Sequence, residues 1–442
     1  MVSRRRPTQA HRRGGCAVCW RGLLLPGFLA CATGALAQGI LAPPSENYER
    51  PAASHSLTTN QAGGIPPLAG PVLQTNAPLQ LGLVAFHPHL LYRFIYGDGI
   101  PAGPTNHFKT VIQEISPGLL LDVGAHWTLN YTPTLRLYSN NHFPDATDEL
   151  AELDGNTAYR DWAFKLSQKY AATSAPLLET EALTEQVNYL TVLQVSRQLG
   201  SHLSAQVSLN QNFRSASEAF SSQDIREWSI TGGLNYQFWS RFGVGLSGAA
   251  GYDLITPGAD MKFEQVQGTM NWQPGDKLTL SASAGMEDRE LLGTQIVNPI
   301  FSGSITYRPW EPTAASLNAA RSVSPSYFQN DVIVVTSISA TLRQQFLQKF
   351  SFEVSGGYTT TPFVGFQRIS NTNALTFNGA PLTAFSQTTR QDNSTFFRLS
   401  LTCPLLKKGT ATLFYQESDT TSGLSAFALT STQVGIELGC RF

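Results

Sequence analysis

From about residue 81 to the end of the chain, apolar and polar residues alternate with a period of two. In residues 203–213 one parity is apolar, with Leu203, Ala205, Val207, Leu209 and Phe213. The other parity is polar, with Ser204, Gln206, Ser208, Asn210 and Asn212. Because successive side chains of a β-strand point to opposite sides, each such segment has one apolar and one polar face. The pattern returns at residues 278–286 and 350–358, and it predicts an all-β fold for residues 81–442.

Short polar turns and longer polar connections alternate between these segments. The short turns include residues 123–125, 198–201, 239–241, 273–276, 308–311 and 407–409. The longest connection spans about residues 361–390. Short turns at one rim and long loops at the other are typical of β-barrels that cross a membrane.

The alternation and the turns together predict eighteen strands. We expect them at residues 82–94, 108–121, 126–138, 147–154, 160–172, 184–198, 202–214, 224–238, 241–254, 260–272, 277–290, 296–307, 312–324, 331–346, 349–360, 390–403, 408–418 and 430–442. The fourth strand is kept because without it the short turns and the long loops would fall out of phase. An even number fits a single-chain barrel whose two ends lie on the same side. Sixteen strands is the alternative.

Composition decides between a membrane barrel and a soluble β-sandwich. Charged residues make up 14% of the chain and the mean hydropathy is −0.12. The polar parity is mostly Ser, Thr, Gly, Asn and Gln, which is unusual for a surface in water. In hydrocarbon every backbone donor and acceptor needs a partner, and only a closed barrel gives strands that. We therefore predict a transmembrane, antiparallel, up-and-down β-barrel.

Aromatic residues near the predicted strand ends support this interpretation. They are Trp127, Trp162, Trp228, Tyr236, Phe238, Tyr252, Trp272 and Tyr307. Such side chains form girdles at the two headgroup levels of a membrane barrel.

The first 37 residues have the layout of an export signal. Six arginines and no acidic residue precede or flank a short apolar stretch, and Ala35 and Ala37 offer small side chains to signal peptidase. We expect cleavage between Ala37 and Gln38. A lipoprotein box at Phe28–Cys31 and a twin-arginine signal at Arg5–Arg6 are weaker interpretations.

Residues 38–80 are rich in Pro, Gly, Ser, Thr and Asn. This composition predicts a disordered periplasmic segment between the signal and the barrel, and a short plug inside the barrel is the alternative.

The last predicted strand carries apolar side chains on one face, ending in an aromatic residue. Val434, Ile436, Leu438 and Phe442 share this face. The strand resembles the terminal strand of Gram-negative outer-membrane β-barrel proteins, and residues 81–442 resemble outer-membrane porins in strand pattern. The resemblance implies that these four residues are an assembly signal read by the barrel-assembly machinery, and that the protein lies in the cell outer membrane.

Parity places a set of charged and imidazole side chains on the inner face of the barrel. These lumen-lining candidates are His87, His89, Arg93, Arg136, Lys165, Lys169, Arg343, Glu353, Arg398, Glu437 and Arg441. A charged ring would set ion selectivity, whereas a mutually paired network would only line the wall. His87 and His89 share a face, but no third ligand is evident, so we expect no metal and no cofactor.

Small residues and cysteines suggest two local features. Gly243, Gly245 and Gly251 give the ninth strand a small inner face, which predicts ordinary curvature or an inward fold of the 361–390 connection. Cys403 and Cys440 lie one strand apart, beyond disulfide reach, and we expect two free thiols facing lipid.

These observations favour a porin-like passive channel for small solutes. A barrel for exopolysaccharide export or envelope structure, working with periplasmic partners, is the second hypothesis, and an outer-membrane hydrolase is the third. The sequence contains no catalytic motif, so we do not expect an enzyme. Expected partners are outer-membrane lipid, the assembly machinery and a possible second copy of the chain. Nucleic acid is not expected, because the net charge is −1 and the arginine-rich signal is removed.

Overall fold

The computed structural model describes residues 79–441, apart from 104–105, 177–182, 218–223, 328–330, 348, 370–375, 378–379, 382–383, 406–407 and 424–427. The predicted signal, residues 38–78 and Phe442 lie outside the described residues.

The described chain consists of β-strands joined by turns and loops. The strands are β1 (Leu79–Leu81), β2 (Val84–Gly103), β3 (Asn106–Val123), β4 (Trp127–Tyr138), β5 (Ala146–Tyr159), β6 (Trp162–Pro176), β7 (Leu183–Gln198), β8 (Leu203–Ser217), β9 (Asp224–Trp239), β10 (Phe242–Thr256), β11 (Met261–Trp272), β12 (Leu278–Leu291), β13 (Thr294–Trp310), β14 (Thr313–Pro325), β15 (Asp331–Phe346), β16 (Phe350–Ile369), β17 (Thr376–Phe377), β18 (Ala380–Pro381), β19 (Ala384–Leu405), β20 (Gly409–Ser422) and β21 (Leu429–Arg441).

Eighteen of these strands, β2–β16 and β19–β21, pair in series and antiparallel. The series closes where β2 pairs with β21, from His89 opposite Arg441 to Asp98 opposite Thr432. The short strand β1 adds to β2, and β17 pairs with β18 in the connection between β16 and β19. The predicted antiparallel barrel of eighteen strands is therefore confirmed.

The expected fourth strand is present as β5, which starts at Ala146 and continues to Tyr159. The expected long connection at residues 361–390 is shorter than predicted, because β16 extends to Ile369 and β19 begins at Ala384. The two strands remain paired as far as Ile369 opposite Ala384.

The outer face of the barrel is apolar. Leu209, Leu246 and Val266 are each more than half exposed, and they point away from the lumen. The aromatic residues Trp127, Trp162, Tyr236, Phe238, Trp272 and Tyr307 also point outward, near the rim that carries the short turns. This is the outer surface that a lipid bilayer requires.

We call the end of the barrel with the short turns the short-turn rim, and the opposite end the long-loop rim. The short-turn rim includes the two-residue turns between β5 and β6 and between β9 and β10. Within the described residues, the chain forms no helix that is long and apolar enough to cross a bilayer.

Candidate functional site

The inner face of the barrel is the candidate site, and its most extensive network is a ladder of ion pairs at mid-height. Arg93 on β2 donates to Glu437 on β21 from Nε at 3.1 Å and from Nη2 at 2.9 Å. Its Nη1 donates to Glu114 on β3 at 2.9 Å. Arg136 on β4 donates from Nε to the second oxygen of Glu114 at 2.9 Å, and its Nη2 lies 2.6 Å from Asp148 on β5.

Register creates this ladder. Arg93 lies directly opposite both Glu437 and Glu114, and Glu114 lies opposite Arg136. The signs alternate from strand to strand, so each charge meets its partners on the neighbouring strands. Arg93 is 1% exposed, which means that the ladder is packed within the barrel interior. These charges are neutralised by one another, as in the paired network considered from the sequence.

The other charged candidates lie in smaller groups. Arg343 Nε donates to Glu353 at 2.9 Å, and both side chains are about one-fifth exposed. Lys169 lies 3.5 Å from Glu152. Arg398 donates to Gln416 at 3.2 Å and stacks on the ring of Phe414.

Lys165 lies opposite Asn156 and Gln194, and Arg441 lies opposite His89. His87 Nε2 is 3.1 Å from Asp122, and His89 Nε2 is 3.2 Å from Thr132. Among the described residues, no three His, Cys, Asp or Glu side chains are grouped so that they could hold a metal ion.

Three of the four predicted assembly residues can be placed. Val434, Ile436 and Leu438 lie on the outer face of β21 and are 39–47% exposed. Phe442 lies outside the described residues. Cys403 and Cys440 are unbridged and half-buried.

A second buried charge cluster on β8–β12 was not identified from the sequence. It consists of Arg214, Glu227, Asp253, Glu287 and Arg289, each no more than 6% exposed. Arg289 bonds Asp253 and Glu287, and Asp253 lies opposite Glu227 in register. All five have lumen-facing parity, and this parity is the sequence signal that places them on the inner face.

Two features narrow the lumen near the long-loop rim. On one side, Phe143 in the connection between β4 and β5 is 4% exposed and belongs to a cluster with Ile95, Ile112 and Phe414. Its ring stacks on Tyr138 with centroids 5.1 Å apart. The β4–β5 connection therefore folds inward over the ladder.

On the other side, the wall splits between β13 and β14. Their pairing runs from Trp310 opposite Thr313 up to Phe301 opposite Arg321 and stops there, although β13 begins at Thr294 and β14 ends at Pro325. By contrast, β14 stays paired with β15 as far as Pro325 opposite Val332. We call residues 322–327 and 332–335 the inner hairpin end.

The inner hairpin end lies inside the barrel. Val323, Val332 and Val334 have the parity of the lipid-facing residues below them on the same strands, yet they are at most 5% exposed. They pack in one cluster with lumen-facing side chains of five other strands, namely Ile225, Ile255, Met261, Leu291 and Ile300. A side chain on the outward face of its strand can touch the inner wall of the barrel only if the strand itself lies inside the barrel.

The tip of the inner hairpin end reaches far across the lumen. Tyr327 is 3% exposed, and the guanidinium of Arg214 on β8 lies over its ring at 5.9 Å. The tip thus lies over Arg214, one member of the second charge cluster.

The small inner face of β10 is filled by neighbouring strands. A Cβ at Gly245 would collide with Asn235 and Thr269, and one at Gly251 would collide with Phe263. The element that folds inward above this face is the inner hairpin end, whereas most of the 361–390 connection lies outside the residues whose side chains are described.

Between its charged groups the inner wall below these features carries neutral polar side chains. Hydroxyl pairs join neighbouring strands at Ser116–Thr134, Ser281–Ser304, Ser283–Ser302 and Thr402–Thr412. Hydroxyl groups can hydrogen-bond with water but carry no charge, so water can wet this part of the wall without strong binding of ions.

No family model matches the chain, and no curated protein matches its sequence. Solved structures with a similar fold include the outer membrane protein OpdK from Pseudomonas aeruginosa, at 13% identity and a TM-score of 0.42 over 81% of this chain and 98% of that one. OccK2 (OpdF) from Pseudomonas aeruginosa is 11% identical, with a TM-score of 0.43 over 81% and 98%. OccAB3 from Acinetobacter baumannii is 10% identical, with a TM-score of 0.40 over 81% and 99%.

Proposed function

We propose that the chain is a passive channel for small solutes in the outer membrane, with a lumen narrowed near the long-loop rim. The observation that carries this proposal is a closed barrel of eighteen strands with an apolar outside and a polar inside. A barrel of this strand number encloses a lumen wide enough for water and small solutes unless it is filled.

The short-turn rim then faces the periplasm and the long-loop rim faces outward. A solute that enters from outside first meets the constriction formed by Phe143 and the inner hairpin end, and then passes the ion-pair ladder and the neutral hydroxyl wall. Because the ladder charges are paired with each other, we expect weak ion selectivity.

Reconstitution tests the proposal. Heat-modifiable migration on gels first shows that the refolded barrel has inserted into lipid. We then expect stepwise conductance in planar bilayers, and vesicle swelling that falls as the test sugar becomes larger. The reversal potential in a KCl gradient should lie near zero.

A Tyr327→Ala variant serves as a second protein in the same assays, because it removes the ring that lies over Arg214 inside the lumen. If both proteins insert but leave the current at the bare-bilayer level, and neither lets the smallest sugar pass, the barrel is not a channel.

A further inference from the structure

The split between β13 and β14 leaves an unpaired strand edge in the wall of an otherwise closed barrel. Residues 294–300 of β13 pair with β12 on one side but not with β14 on the other. In hydrocarbon an unpaired backbone edge is unfavourable, because no water is there to replace the missing strand. The edge is partly adapted, since Pro299 has no N–H to leave unpaired and its carbonyl accepts from Arg321 Nε at 3.1 Å.

The sequence of the inner hairpin end suits a second position. Val323, Val332 and Val334 continue the outward parity of Leu317, Ile338 and Leu342 below them, and those three are 43–48% exposed. The apolar face that now packs against the inner wall would therefore meet lipid if the hairpin lay flush with the barrel.

Register defines that second position. Extending the pairing upward from Phe301 opposite Arg321 places Ile300 opposite Ser322, Pro299 opposite Val323 and Asn298 opposite Ser324, with Pro299 bonding across through its carbonyl alone. Val323 would face lipid beside Pro299, and the two serines would face the lumen. Because β15 stays paired with β16 at Ile333 opposite Phe363, the upper end of β16 would move with it.

The present position also leaves buried polar atoms without hydrogen bonds. Among the described residues these include Asn298 Nδ2 beside the split, and Nε and Nη2 of Arg214 beneath the tip. Burying these unbonded atoms costs free energy, which offsets part of the stabilisation that the apolar cluster provides. If the hairpin lay flush with the wall, water in the lumen could bond to them. The inward position therefore favours the apolar cluster, whereas the wall position favours the buried polar atoms and the unpaired edge of β13.

We propose that the inner hairpin end is a gate with two positions: the inward one described here, and a wall position paired with residues 298–300 of β13. Movement into the wall opens the upper lumen and uncovers the charge cluster at Arg214. This proposal rests on the channel function proposed above.

Variants of the opposing wall distinguish the two positions. Leu291 is fully buried against the inner hairpin end, but its side chain would face water in the open lumen. Leu291→Gln should therefore disfavour the inward position only, and raise the open-to-closed ratio in single-channel records about tenfold. Leu120→Gln is the matched control, because Leu120 is a buried, lumen-facing leucine on β3 outside this cluster.

A cysteine pair tests the register directly. In a Cys403→Ser, Cys440→Ser background, Asn298→Cys with Ser324→Cys should form a disulfide under mild oxidation and hold the channel open until it is reduced. Asn298→Cys with Ser322→Cys is out of register by two residues and should crosslink more slowly.

The outcomes separate the gate from the channel. If wild-type protein conducts, while Leu291→Gln behaves like Leu120→Gln and the 298–324 pair crosslinks no faster than the 298–322 pair, the gate is wrong and the channel stands. If wild type, Leu291→Gln and the crosslinked barrel all insert and all remain silent, the channel itself is wrong.

Discussion

Replacing Glu114 by glutamine tests whether the ion-pair ladder holds neighbouring strands together. Glu114 is 4% exposed and accepts from Arg93 with one oxygen and from Arg136 with the other, each at 2.9 Å. In Glu114→Gln one carboxylate oxygen is replaced by an NH2 group that cannot accept a hydrogen bond. The remaining oxygen still accepts, but it no longer carries a negative charge. A lost buried bond costs about 2 kcal/mol and a weakened one about 1, so unfolding should become easier by about 3 kcal/mol.

Glu353→Gln is the matched control. Glu353 also bonds an arginine on the neighbouring strand, but both side chains are 21% exposed, so water replaces part of what is lost. We expect at most about 1 kcal/mol there. Equilibrium urea unfolding of the barrel refolded in phosphatidylcholine vesicles, followed by tryptophan fluorescence, gives both numbers. Equal free energies of unfolding for the two variants would refute the argument that burial makes the ladder strong.

Further expectations concern packing, lipid contact, thiols and assembly. Gly285→Ala should destabilise the barrel by about 1–3 kcal/mol in the same urea assay, because its Cβ would collide with the Val266 carbonyl oxygen, whereas Gly268→Ala, with its nearest atoms at 4.0 Å, should be neutral. Leu246→Lys on the outer face should cost about 2–4 kcal/mol, and Ser247→Lys on the inner face much less; similar losses would contradict a lipid-facing outer surface. Mass spectrometry of unreduced, unfolded mature protein should show alkylation at both Cys403 and Cys440, and an absent label would indicate a bridge. Deleting Phe442 should lower the amount of barrel assembled in cells while refolding in detergent is unchanged, and an Arg441→Ala control should assemble normally.

Strand positions were predictable because period-two alternation follows directly from strand geometry. Residues 331–346 were predicted as a strand and form β15 with those bounds. The least regular strand, β5, has Glu149 on the outward parity and Leu150 on the inward parity, which blurs its alternation, and it was predicted because the turns would otherwise fall out of phase. The strands extend further toward the long-loop rim than predicted. For example, β16 continues nine residues beyond its predicted end at residue 360.

The contents of the lumen were harder to predict. Parity shows that Arg93 and Glu437 share a face, but their contact depends on register between the first and last barrel strands, which alternation does not determine. The inner hairpin end could not be foreseen for a related reason. Val323, Val332 and Val334 alternate like any lipid-facing residues, and an apolar face fits a bilayer and an apolar inner wall equally well.

The bonds between Arg93 and Glu437 join positions that are 344 residues apart. Until β21 pairs with β2, the sheet is open, with two unpaired edge strands, and Arg93 at one edge lacks its Glu437 partner. Ring closure over so long a stretch is entropically demanding, and contacts of such range make folding slow. The slow step in making this protein is therefore expected to be the meeting of its two ends, and a nascent sheet that waits for it must be kept from pairing with its neighbours.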